Sequence, residues 1–277
     1  MNDRQWLDNN LLVGYTSKRS PSWRYREGTN NFYYGKVPVE DVQERLFSWE
    51  PVKTPLEYRV EGVPFTSTTR CVIARSDSGA DLGVFKIGYK PLSFSAWLEA
   101  IEEHTLGPQL SIGSAGLLRE GAVGWVSIEL PDNVITPEGV EFRPNLLAAT
   151  SFDGSLATTF KRVVTEISCD NIISMGGDIT RVRHTKKSPE RIPNMQGAVH
   201  LVHAIAYDFS RTVSQMCAKT ITPFDFDKIL EVVAPISNRP DARTTISENK
   251  QDRLRQMWNT DERVTPWRGT AYGVCRL

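Results

Sequence analysis

The chain has 277 residues, of which 40% are hydrophobic and 24% charged; that is enough apolar material for a real core and excludes wholesale disorder. Lys and Arg number 33, and Asp and Glu also 33, so coating of nucleic acid by bulk positive charge is excluded and only a local patch stays open. No apolar run is long enough for a membrane helix, the start MNDRQWLDNN lacks an export signal, and the cysteines (Cys71, Cys169, Cys217, Cys275) offer no CxxC knuckle; reduced thiols in a cytoplasmic setting, with no metal centre and no membrane, are the expectation.

Residues 1–35 mix aromatics (Trp6, Tyr15, Trp23, Tyr25, Phe32, Tyr33, Tyr34) with Asn, Ser, Arg and Gly and keep no period. They read as an irregular arm, ordered by packing on the body or on a neighbouring subunit. A short helix follows: Pro38 suits its first turn, Glu40 and Asp41 favour the positive dipole end, and Val39, Val42, Leu46 and Phe47 form one stripe. Residues 52–167 read mainly as β. Arg70–Arg75 and Leu82–Gly88 flank the turn Ser76-Asp-Ser-Gly79 and predict a hairpin. Ser93 or Ser95 can cap a helix over 93–103 that puts Phe94, Trp97, Leu98 and Ile101 on one side.

Two strand pairs come next, 109–118 with 123–130 and 140–151 with 156–167. The second turns at Phe152-Asp-Gly-Ser155, where Asp-Gly supplies the positive φ that a tight turn needs. From about Cys169 the pattern becomes helical. Ala198, Val202, Ile205, Phe209, Val213 and Met216 mark a long amphipathic helix over 190–219, and 224–233 and 244–258 predict two more. The fold class is therefore α+β, an antiparallel β-meander with an inserted helix followed by a helical C-terminal part. Beyond the arm, residues 36–277 read as a single domain, mainly β over 52–167 and mainly helical over 169–277.

The motifs of familiar chemistry are few. Neither GxxxxGK[ST] nor GxGxxG after a strand occurs, so no nucleotide cofactor is implied. Gly113-Ser-Ala-Gly116 has the spacing of a GxxG clamp but lies in a strand pattern, where a bulge or a close backbone approach is the simpler reading. His200 and His203 share a helix face, with Asp208 or a third histidine a conceivable further ligand, yet no HExxH or second ligand pair exists; two helix-surface or interface imidazoles are the simpler reading. Cys169-Asp-Asn171 would need a base such as His184 to act as a thiol nucleophile, and a buried cysteine beside a helix cap is simpler.

Charge segregation is more informative. Residues 160–192 carry seven cations, Lys161, Arg162, Arg181, Arg183, Lys186, Lys187 and Arg191, together with His184, against four acids, whereas residues 1–150 hold 15 basic and 19 acidic side chains. A solvated loop fits this stretch. So does a track for phosphates, because ammonium and guanidinium groups displace a polyanion's counterions. Phe152, Phe160 and Tyr89 are candidates for base-stacking faces, a place in the core being the commoner role for each.

Asp153-Gly-Ser155, Cys169-Asp-Asn-Ile-Ile173, Arg183-His-Thr185 and Arg191-Ile192, with Gly83-Val84 and Tyr89-Lys-Pro91 upstream and Gly269-Thr-Ala271 near the end, resemble in order and spacing the phage/plasmid-like family of domains of unknown function. The likeness spans roughly residues 50–273. It departs where the family has an arginine shortly before the cysteine; here Glu166 stands in that region and Lys161-Arg162 lies farther back. The resemblance implies a gene carried by phages or plasmids but brings no activity. Phage single-strand annealing proteins have a similar outline, and by that analogy the expectation is a non-enzymatic protein that binds single-stranded nucleic acid through Lys161, Arg162, Arg181, Arg183, His184, Lys186, Lys187 and Arg191, assembles as a homo-oligomer and promotes annealing or recombination. A host-directed interaction protein, and an enzyme on nucleic acid or nucleotide using His184 with Asp170 or Cys169, are the alternatives.

Overall fold

Turns with left-handed backbone set the first half of the fold. A computed structural model describes residues 9–15, 30–166, 172–182, 198–236 and 242–277. Glu61 and Gly62, both at positive φ, join β2 (Pro51–Val60) to β3 (Val63–Arg75), and Gly79 at φ 71° helps turn β3 into β4 (Asp81–Lys86); paired positive φ matches the twist of a two-residue hairpin. The three strands form one antiparallel sheet in the order β2-β3-β4. Cys71, Ile73 and Leu82 are its buried residues, whereas positions 57–66 are exposed on both faces of the hairpin's outer half.

Two helices cover the core. Helix α1 (Val39–Leu46) follows Pro38, has Glu40 and Asp41 in its first turn and buries Val42 and Leu46. In α2 (Phe94–His104) the Ser93 hydroxyl accepts the Ala96 N–H at 3.2 Å, and Phe94, Trp97, Leu98 and Ile101 are buried. Both were legible from caps and periodicity. Helix α2 lies in the chain between the small sheet and a larger antiparallel one of seven strands, whose main path is β1 (Leu11–Val13), β5 (Ser111–Leu118), β6 (Val123–Glu129), β7 (Glu141–Ser151), β8 (Thr158–Glu166) and β9 (Ile172–Val182) in the order β1-β5-β6-β7-β8-β9, with the two-residue strand Val134–Ile135 off this path. Every pairing along it is antiparallel. The mixed α+β class is thus as expected, with antiparallel sheets first and helices after.

Strand alternation gives the large sheet two unlike faces. Val126, Ile128, Leu146, Ala148, Phe160 and Val164 fill one and are fully buried. Phe94 packs on this face over Gly124, where a Cβ would come within 2.8 Å of its ring, and continues into an aromatic cluster with Phe152 (centroids 4.5 Å), Phe47 (4.9 Å) and Trp49 (5.4 Å). Phe152 and Phe160 are therefore core side chains, the commoner of the two roles the sequence left open, and offer no stacking face for bases.

Two strands depart from the sequence reading. Residues 11–13 of the supposed arm are a buried edge strand, paired Leu12 to Ala115. Residues 172–182, expected to begin the helical part, form β9, whose register shifts between Ser174, Asp178 and Thr180. Gly176-Gly177 lies within that shift, and a bulge breaks the alternation that would have revealed the strand.

By contacts the chain divides into two compact units, Met1–Val134 with Glu141–Ala206, and Ile135–Val140 with Tyr207–Leu277. Helix α3 (Ala198–Ala218) buries Ala198, Val202, Ile205, Phe209 and Val213, the predicted stripe. In the second unit, α4 (Pro223–Val233) opens with a capping box between Thr222 and Asp225. Phe226 stacks on Trp258 of α5 (Ala242–Thr260) at 4.6 Å, and the side chain of Gln251 donates to the carbonyls of Leu230 and Ala234. The Trp267 indole donates to the Glu138 carbonyl and meets Tyr272 of α6 (Ala271–Cys275) edge-on.

Candidate functional site

The second face of the large sheet carries its polar side chains, alongside Trp125, Leu147 and Val163. At one end Arg143 and Glu129, each about 1% exposed, form an ion pair at 3.2 Å, and Arg143 also donates to the Asn133 side chain. Asn145 donates to the Thr165 hydroxyl, the Tyr15 and Ser111 hydroxyls share a hydrogen bond, and the Arg143 guanidinium lies 5.5 Å from the Tyr15 ring centroid. Glu129 has room because Gly113 has no side chain: a Cβ there would sit 1.7 Å from the carboxylate. Likewise a Cβ at Gly116 would strike the Trp125 indole at 2.7 Å. Gly113 falls at the register shift between Ile112 and Ser114, so Gly113-Ser-Ala-Gly116 is a bulge with close approaches rather than a nucleic-acid clamp.

At the far side of this face stand two of the anticipated cations. Lys161 is on β8 and Arg181 on β9, and both are exposed. Arg181 is registered opposite Thr159, two residues from Lys161 on the same strand, so the two cations share one face as diagonal neighbours. Asp178 is registered opposite Lys161. Arg162 belongs elsewhere. It is half-buried, registered opposite the fully buried Leu146, and alternation turns it to the face of Phe160 and Val164. Arg183, His184, Lys186, Lys187 and Arg191 follow β9 directly in the chain and lie outside the described residues, as do Cys169, Asp170 and Asn171.

Of the residues that carried the resemblance, Gly83, Tyr89 and Asp153-Gly-Ser155 gather at one corner. A Cβ on Gly83 would lie 2.8 Å from the Phe152 carbonyl oxygen, and Gly154, at φ 76°, faces the Phe85 ring. Phe85 stacks on Tyr89 at 4.0 Å. Asp153 accepts from the Ser155 N–H at 2.8 Å and from Arg119 at 2.7 Å. Burial works against its charge, but hydrogen bonds from Ser155, Arg119 and Ser151 outweigh it and hold the carboxyl at about 2. Burial, then the Asp153 charge, pushes the Tyr89 phenol up. Arg119 and Glu120 are both left-handed and lead into Gly121. Arg75 steadies this turn by donating to the Glu120 carbonyl at 3.0 Å while lying 4.3 Å over Trp49. The corner ties the β5–β6 turn to the β7–β8 turn. Its carboxylate is consumed by those bonds, so the chemistry of Asp153 is structural.

His200 and His203 are exposed on α3. Among the described residues no three or more His, Cys, Asp or Glu gather in a way that would hold a metal ion. Of the described cysteines, Cys71 is buried and none is in a disulfide; burial, then the Glu138 charge, raises the Cys217 thiol. Among the described residues no helix is long and apolar enough to cross a membrane. The profile of a family described as a domain of unknown function, DUF932, matches residues 81–277. No curated protein and no solved structure matches.

Proposed function

Since the chain belongs to the DUF932 family, whose description carries no activity, we propose from the residues themselves that it binds single-stranded nucleic acid and promotes annealing or recombination for a phage or plasmid. The observation that supports this reading is the exposed pair Lys161 and Arg181 on one face of adjacent strands, at the end of the sheet from which the chain runs into Arg183, Lys186, Lys187 and Arg191. These side chains hold successive phosphates, and the bases stay accessible for pairing. Arg162, turned to the other face, has no part in that track. One track of this length engages few nucleotides, so subunits assemble side by side and affinity rises by multivalency.

A salt titration of binding to a labelled oligonucleotide tests the reading. Affinity for a single strand falls with salt at a slope of about −0.7 per phosphate neutralised. Replacing Lys161 and Arg181 together by alanine lowers the slope by about 1.4, whereas Arg162→Ala, if the protein stays folded, leaves it unchanged. Binding indifferent to salt, or a slope unmoved by the double replacement, defeats the reading.

A further inference from the structure

The outer half of the β2–β3 hairpin is a ribbon without a third strand. Strand β4 pairs with residues 70–74 of β3 only, leaving 57–60 paired with 63–66 and nothing beyond them among the described residues. A two-stranded ribbon in water is marginal by itself, and three or more strands are needed for independent stability. This one also carries an apolar face. Tyr58 stacks on Phe65 at 5.9 Å, Val60 is paired with Val63, and these four side chains remain 46–54% exposed. Glu57, Arg59, Pro64 and Thr66 take the other face by alternation.

Strand β2 is an edge strand for its whole length, and its two halves treat that edge differently. Pro51, Lys53 and Pro55 guard the inner half in the way edges are usually blunted. Leu56-Glu-Tyr-Arg-Val60 has neither proline nor lysine. Its charges are instead self-complementary. When two copies of this segment run antiparallel about a two-fold axis at Tyr58, Glu57 falls opposite Arg59 of the partner subunit and Arg59 opposite Glu57 of the partner subunit. Leu56, at the register shift between Pro55 and Glu57, then falls opposite Val60 of the partner subunit, and Val60 adds to the face that already holds Tyr58, Val63 and Phe65. We propose that this edge is a dimer contact, in which residues 56–60 of two copies pair antiparallel and join two ribbons into one four-stranded sheet with a continuous apolar face. The contact is isologous, as two-fold symmetry requires. It gives the side-by-side assembly proposed above a named surface, but it is read without nucleic acid, so the two ideas fail separately.

Sedimentation of the full chain, free of nucleic acid, measures the dimer. Glu57→Arg alone and Arg59→Glu alone each place like charges opposite one another twice, and each weakens the dimer about tenfold. The double variant Glu57→Arg with Arg59→Glu restores it, which also shows that the single variants fold. Tyr58→Cys yields an interchain disulfide on mild oxidation, because opposed positions in an antiparallel pair lie within disulfide reach; the wild type and Arg59→Cys, where the opposed residue is Glu57, do not. A monomer at all concentrations overturns the proposal, including one in which another segment of the same chain covers this edge. A dimer indifferent to both single charge reversals, or one that the double variant fails to restore, overturns it as well.

Discussion

Glu129 and Arg143 show what residue identity alone conceals. Each stands in a strand pattern that reads as ordinary alternation, yet together they form a buried ion pair. Removing one partner of such a pair costs about 3–5 kcal/mol, while exchanging both for apolar groups of similar size is often close to neutral. Glu129→Leu is therefore expected to lower stability by that amount, and the joint Glu129→Leu, Arg143→Met protein to recover most of the loss; additive losses in urea unfolding would contradict the pairing. Asp153 makes a second residue-scale prediction. Its carboxyl is held at about 2, below the roughly 3.9 of an unfolded chain. The stability it lends is complete above about pH 5 and is lost as pH falls through about 2. Because the group is partly solvated, about 1 kcal/mol is a fair size. Asp153→Asn should be weaker than wild type by that much at pH 7 and level with it near pH 2, read from urea midpoints across the range.

Helix and hairpin boundaries were legible where a local device fixes them. Ser93 caps α2, Asp153-Gly154 turns β7 into β8, and the periodic apolar residues of α3 announce its buried side. Strand β9 was not legible, because Gly176-Gly177 and a shifted register erase the alternation. The candidate site was half legible for the same reason of geometry. Lys161 and Arg162 are neighbours in sequence and were read as one track, but a strand sends neighbours to opposite faces. Composition cannot show that; the register against Leu146 and Leu147 does. At this scale α4 depends on a side chain from another helix. Gln251, buried, donates to Ala234 at 2.8 Å and Leu230 at 3.4 Å, carbonyls at the C-terminal end of α4. Gln251→Ala should cost about 1–3 kcal/mol and speed amide exchange in the last turn of α4. Gln251→Glu should not rescue it, since a carboxylate has no proton to give.

Over the whole molecule, charge cancels while its distribution does not: residues 1–150 hold 15 cations and 19 anions, and 160–192 hold seven and four. A protein of zero formal net charge gains little long-range attraction from a polyanion, so the proposed association would rest on the local patch, whose field is screened beyond a Debye length of about 8 Å at physiological salt. Binding should therefore be slower to form than for a globally basic protein but retain its dependence on Lys161 and Arg181; stopped-flow association rates at two salt concentrations, with and without those side chains, would show it. The fold class was legible because hairpin turns and helix caps are written locally. The fate of the anticipated stacking aromatics was not, because Phe152 and Phe160 are claimed by the core from positions far apart in the chain.

The empty space at Gly113 has a consequence for how this chain is free to diverge. The Glu129 carboxylate occupies the volume that any side chain at 113 would need, so the two positions are not independent. Among relatives, a lineage that gains a methyl group at the first will have shortened or lost the acid at the second, and with it the reason to keep an arginine at 143. Aligned descendants should show these three sites changing as a set, and a lone Gly-to-Ala exchange surviving with the acid and the arginine intact would mean the space is not shared as described.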